Sequence, residues 1–240
     1  MTTMIAVSYL IAGTIEIALP LALGYLLIKR LNTSWKLLLI GAMMFLVSLV
    51  RLPLNNYLTQ LVVSGEITSI SFWLIYLIPS ITSGLFEETA RYLGIRYLIK
   101  NDSYRTGLTY GAGHGGIESI FLVGLNVLTI GIILLTNPES LGEMQLYAIN
   151  SNPWYLPLVG AYERIMSMII HFSLSIMVLE TIRQKKIHYL LLAILVHAAI
   201  NYLSVTAVGY SILYAEMVIT GFAIGLAQWA YPRVRETLRA

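Results

Sequence analysis

Apolar runs long enough to cross hydrocarbon follow one another almost without pause along this chain. Read against loop signals, they give seven segments, at about 4–28, 36–54, 69–97, 106–135, 155–182, 188–207 and 210–231. Each is long enough for the roughly 20 residues that a membrane span needs. Of 240 residues, 58% are apolar and only 11% charged, and mean hydropathy is +0.76. A soluble domain carries about 25% charge, so this chain cannot cover a globular surface. Soluble and disordered chains are excluded, and no room remains for a soluble domain. The expectation is an all-α polytopic membrane protein, a bundle of about seven transmembrane helices. Residues 1–240 then form a single transmembrane helical domain, with its active-site core at about 69–207. The first apolar run lacks a basic n-region and is too long for a signal peptide, so it reads as a retained helix. With no cysteine, disulfides, thiolate metal sites and cysteine nucleophiles are excluded.

Charge orients the bundle. Lys29, Arg30 and Lys36 occupy one loop, and Arg96, Lys100 and Arg105 another. Arg183, Lys185 and Lys186 fill a third, and Arg233, Arg235 and Arg239 the C-terminal end. The alternate loops, at about 55–68, 136–154 and 205–212, hold no Lys or Arg. Loop bias of this kind puts the basic side in the cytoplasm. An outside N-terminus and a cytoplasmic C-terminus follow. The net charge of +3 is explained by these loops, so no nucleic-acid partner is expected. Trp35, Trp73, Trp154 and Trp229 all fall near expected span ends, where interfacial Trp belongs. Arg51, near the outer end of the second span, is expected to snorkel.

Ionisable groups inside the membrane are costly and mark function by default. The third segment carries Glu87, Glu88 and Arg91, and the fourth His114 and Glu118. The fifth carries Glu163, Arg164 and His171, and the sixth His197 and Asn201. Counted from the cytoplasmic ends at 1.5 Å per residue, Glu87, Glu88, His114, Glu118, His171, His197 and Asn201 lie about 12–20 Å deep. Four helices thus deliver carboxylate and imidazole to one layer. Glu87 and Arg91, His114 and Glu118, and His197 and Asn201 are each i, i+4 pairs that can face one point. Glu163-Arg164 reads as a structural pair and Glu216 as an interfacial residue. Glu16 has no partner in sequence, and His188 reads as solvated.

Imidazole and carboxylate suit Zn2+, whose catalytic sites keep three protein ligands and one open position. Such a metal lowers its water's pKa to about 7, and a spare glutamate can serve as general base. A metal-free alternative uses Glu as base, with His and Asn stabilising the oxyanion. The His-Glu-x-x-His run of common zinc proteases is absent, so any site is assembled from several helices.

Glu87-Glu88-x-x-Arg91, His114-Gly-Gly-Ile-Glu118, His171 and His197-x-x-x-Asn201 together resemble the YhfC-type intramembrane metalloproteases. That family is related to the CAAX-processing and bacteriocin-processing protease superfamily. The likeness runs from about Phe86 to Asn201, with Arg91 one residue earlier than the superfamily's usual spacing and Tyr110 where Phe is usual. It implies an intramembrane endopeptidase acting on a membrane-anchored peptide or protein. It implies that Glu87 or Glu88 with His114 activates water, and that His197 and Asn201 bind metal or steady the oxyanion. The implied catalytic set is Glu87, Glu88, Arg91, His114, Glu118 and Asn201. The metal set is Glu88, His114, His171 and His197, with His171 joining by its position.

A proton- or ion-coupled transporter is the alternative, because such layers also build ion relays. No inverted repeat is visible, and the polar groups form one layer rather than a path. A non-catalytic membrane partner has no need of three histidines at one depth. The expected location is the prokaryotic cell membrane.

Overall fold

The architecture comes from a computed structural model that describes residues 2–64 and 72–239. It is all helix: α1 (Thr2–Leu31), α2 (Trp35–Ser48), α3 (Arg51–Val63), α4 (Phe72–Leu93), α5 (Tyr104–Glu118), α6 (Leu125–Thr136), α7 (Glu143–Ser151), α8 (Leu156–Arg183), α9 (His188–Val208) and α10 (Ile212–Arg239). Two π-helical turns, Gly94–Ile99 and Ser119–Gly124, extend α4 and join α5 to α6. Such turns insert an extra residue into the helix and often accompany functional sites.

Among the described residues, six helices are long and apolar enough to cross a membrane: α1, α2 with α3, α5 with α6, α8, α9 and α10. The chain is a polytopic all-α membrane protein. The third expected segment corresponds to α4 and its π turn. Glu87, Glu88 and Arg91 lie inside it, and these charges lower its hydropathy. The helix that holds the most chemistry therefore falls outside those six.

Two expected loops prove to be helical. The Asn55-Asn56 break lies within α3, which restarts after a tight turn in which the Val50 amide donates to Val47 O. Pro53 sits in the first turn of α3, where its missing N–H costs nothing. Asn55 is buried and accepts a hydrogen bond from Thr82 Oγ1 on α4 at 3.0 Å. The rest of that expected loop, from Gly65 onward, lies outside the described residues. The 137–153 connection contains α7, whose Ile149 packs with Ile5 and Leu134 against the ends of α1 and α6. The short α9–α10 connection is closed by hydrogen bonds that the Tyr210 and Ser211 amides donate to Ala207 O.

Helix α8 is the axis of the bundle. Leu174, Ile176, Val178 and Leu179 are wholly buried, as expected of a helix covered on every side. Around it stand α5, α1, α10, α9 and α4. Helices α2 and α5 meet backbone to backbone. A Cβ on Gly41 would lie 2.2 Å from Tyr110 O, and one on Gly113 only 1.9 Å from Leu38 O. Small residues allow this approach in membranes, and here they carry His114 to the bundle centre.

Candidate functional site

Helix α4 supplies two carboxylates that point apart, because adjacent residues on a helix differ by about 100°. Glu88 turns into the packed interior. It accepts from Arg91 Nε at 2.9 Å and Nη2 at 3.3 Å, and pairs with His197 Nδ1 at 2.7 Å. Glu88 and Arg91 are both fully buried. Arg91 also donates to His171 O at 3.2 Å and to Ser175 Oγ, so one guanidinium ties α4 to α8. Glu87 turns the other way. Its Oε1 accepts from Arg51 Nη2 at 3.0 Å and Ser83 Oγ at 2.7 Å. Its Oε2 faces His114 Nε2 at 3.5 Å and His197 Nε2 at 3.8 Å and has no hydrogen-bond partner among the described residues.

His114 is fully buried, with Phe45 edge-on to its ring at 5.3 Å between centroids. Neither of its nitrogens has a hydrogen-bond partner among the described residues. His171 reaches the layer because Gly115 leaves room for it; a Cβ there would sit 2.8 Å from His171 Cβ. The rings of His114 and His171 are 5.6 Å apart, and those of His171 and His197 6.0 Å. Ligand atoms of Glu87, His114 and His171 lie within 4.8 Å of one another, close enough to share one metal ion.

Hydrogen bonding separates the histidines further. His171 Nδ1 faces Arg91 Nη2 at 3.1 Å. Arginine only donates, so this nitrogen accepts and the neutral ring carries its proton on Nε2. That Nε2 is 2.7 Å from Glu118 Oε2, although the contact is not aligned as a hydrogen bond. His197 is the reverse case. Its Nδ1 proton goes to Glu88, leaving the Nε2 lone pair toward Glu87. A histidine backed by a carboxylate is the usual arrangement at metal sites. The donor set fits a metal of the zinc type. With bonds of 2.0–2.1 Å, tetrahedral ligand atoms are about 3.4 Å apart, near the separations at Glu87 Oε2.

The layer opens onto a cavity of about 380 Å³ lined by Ser83, Glu118, His171, His197 and Asn201. Asn201 Nδ2 donates to Ser83 Oγ at 2.9 Å, extending the Glu87 network. The structure thus gathers Glu87, Glu88, Arg91, His114, His171, His197 and, through Ser83, Asn201. The carboxylate between two imidazoles is Glu87, whereas Glu88 is engaged by Arg91 and His197. Glu118 pairs with α8 rather than with His114: besides His171 it meets Arg164 Nη1 at 3.4 Å. Arg164 also pairs with Glu163.

Three site residues escape sequence reasoning. Arg51 does not snorkel; its side chain is 11% exposed and turns inward to Glu87. Ser83 precedes Glu87 by one helical turn, a spacing that could have marked it. Ser175 stands at the same one-turn spacing from His171. Glu216, in the first turns of α10, is buried and lines the cavity.

These features agree with what the chain is similar to. It is 29% identical to an uncharacterized membrane protein, YhfC of Bacillus subtilis (strain 168), over 211 residues covering 80% of each chain. No solved structure matches it. The family match runs from residue 15 to residue 223, across every helix that contributes to the buried Glu/His layer, and the chain therefore belongs to the YhfC intramembrane metalloprotease family.

Proposed function

We propose that this protein hydrolyses a peptide bond of a membrane-anchored peptide or protein, at a zinc-type centre in the cytoplasmic half of the bilayer. The observation that carries this is the unpartnered Glu87 Oε2, flanked by two imidazole nitrogens in a buried layer that opens onto a cavity. Glu87, His114 and His197 would hold the ion, because His171 Nε2 carries a proton and offers no lone pair. A bound zinc ion supplies a water of pKa about 7 and polarises the scissile carbonyl.

The remaining work falls to the chain's own groups. Arg51 and Ser83 fix the Glu87 carboxylate, and Glu88 fixes the His197 tautomer. Glu118, held beside His171 and Arg164, is the base that takes the proton from the attacking water and passes it to the leaving amine. Asn201 Nδ2 lies at the cavity wall, suited to donating to the carbonyl oxygen as it gains charge. Basic loops on one side support an outside N-terminus and a cytoplasmic C-terminus.

The test compares membrane-proteome fragments from cells with the unaltered protein and with Glu87→Gln or Glu118→Gln. Fragments should vanish in both variants, and the purified protein should lose its metal only with Glu87→Gln. Cleavage that survives Glu118→Gln, in purified protein that holds no metal, would make Glu87 the base of a metal-free reaction. Identical fragments in all strains, with Glu87-dependent ion flux in liposomes, would replace the protease by a transporter.

A further inference from the structure

The cavity does not end at the Glu/His layer. It continues along α9 and α10 toward the turn that joins them, past Val205, Val208, Ile212 and Ile219. Its walls there are mainly aliphatic, with Ser204 among them, and three carboxylates reach it: Glu118, Glu163 and Glu216. Two of them share one cation, since Arg164 pairs with both Glu118 and Glu163. The other cavity arginine, Arg51, is taken by Glu87. Glu216 is left over. It is 9% exposed, and its Oε2 is buried with no hydrogen-bond partner among the described residues.

A buried carboxylate without a partner is costly, and an aliphatic channel leading to one matches a long cationic side chain. Lysine and arginine lay their methylene stems on apolar surface while the charged head seeks a polar partner. Resting on the proteolytic reading above, we infer that this arm is a substrate subsite for a lysine or arginine side chain, with Glu216 as its acceptor. Helix geometry gives the register. His197 is eleven residues from the end of α9 and Glu216 four residues into α10. At 1.5 Å per residue the two differ in depth by about 10 Å. An extended peptide rises about 3.3 Å per residue, so the cationic residue lies within about three residues of the scissile bond.

The test uses the full chain in nanodiscs and synthetic apolar peptides carrying one Lys, moved stepwise across the central seven positions, beside matched peptides with Met. Binding is measured first, on the Glu87→Gln protein, so that it does not depend on cleavage. At one or two positions the Lys peptide should bind about ten-fold tighter than its Met counterpart. Glu216→Gln should erase that preference and leave Met-peptide binding unchanged. Equal binding of Lys and Met peptides at every position, seen with no change to Glu216, would overturn the subsite. So would a preference that survives Glu216→Gln. Loss of the preference only in nanodiscs of phosphatidylethanolamine, against phosphatidylglycerol, would give the arm to a lipid amine and also overturn it. The unaltered protein is then given the same peptides. A lysine preference in binding with no cut peptide would leave the subsite standing and count against the proteolytic reading.

Discussion

Replacing Glu88 by glutamine removes one charge from the most enclosed ion pair among the described residues. Glu88 and Arg91 have no exposed side-chain surface, and Glu88 receives Arg91 through two nitrogens and His197 through a third. Glutamine preserves the shape but leaves the Arg91 charge uncompensated. Breaking a buried pair from one side costs about 3–5 kcal/mol. For a chain of this size each kcal/mol moves the melting point by about 2–4 °C, so the midpoint should fall by about 6–20 °C. The assay is thermal unfolding of purified protein in detergent, followed by tryptophan fluorescence. The paired variant Glu88→Leu with Arg91→Met removes both charges together and should recover a large part of the loss, because an apolar replacement of a whole buried pair is often close to neutral. A fall below about 2 °C for Glu88→Gln, or a double variant no better than the single one, would refute the view that Glu88 exists to hold Arg91 and His197.

Glu87→Gln should behave differently: its neighbour Arg51 borders the cavity, so stability should drop less than for Glu88→Gln while cleavage is lost together with the metal; Glu118→Gln, which removes the base and keeps the metal, should lower cleavage by about 10²–10⁴, as measured with any peptide found to be cut. Metal content of purified variants should fall to background for His114→Ala and His197→Ala and persist for His171→Ala; the opposite result for the last two would move the third ligand to His171. Gly113→Leu should separate α2 from α5, since even its Cβ would meet Leu38 O at 1.9 Å; overpacking costs about 1–3 kcal/mol or more, visible as faster proteolysis of the membrane-embedded protein. Reporters inserted in the 183–186 turn should read cytoplasmic, and those in the 137–153 connection external; a reversal would invert the bundle.

The membrane nature of the chain was legible because hydrocarbon thickness imposes a length and a composition that no soluble surface shares. The layer of Glu87, Glu88, His114, His171 and His197 was legible for a related reason: helical rise converts residue number into depth. Azimuth was not legible, because it depends on how helices rotate against one another. Which of Glu87 and Glu88 lies between two imidazoles, and which is taken up by Arg91 and one face of His197, follows from the packing of α4 against its neighbours, and Glu118 meets α8 because α5 lies close against it. Partners distant in sequence were hidden for the same reason. Arg51 is 36 residues from Glu87, and nothing local distinguishes an arginine that reaches water from one that turns inward to a carboxylate. Depth is a property of one helix and can be counted along the chain. Contact between side chains is a property of two, and only their packing decides it.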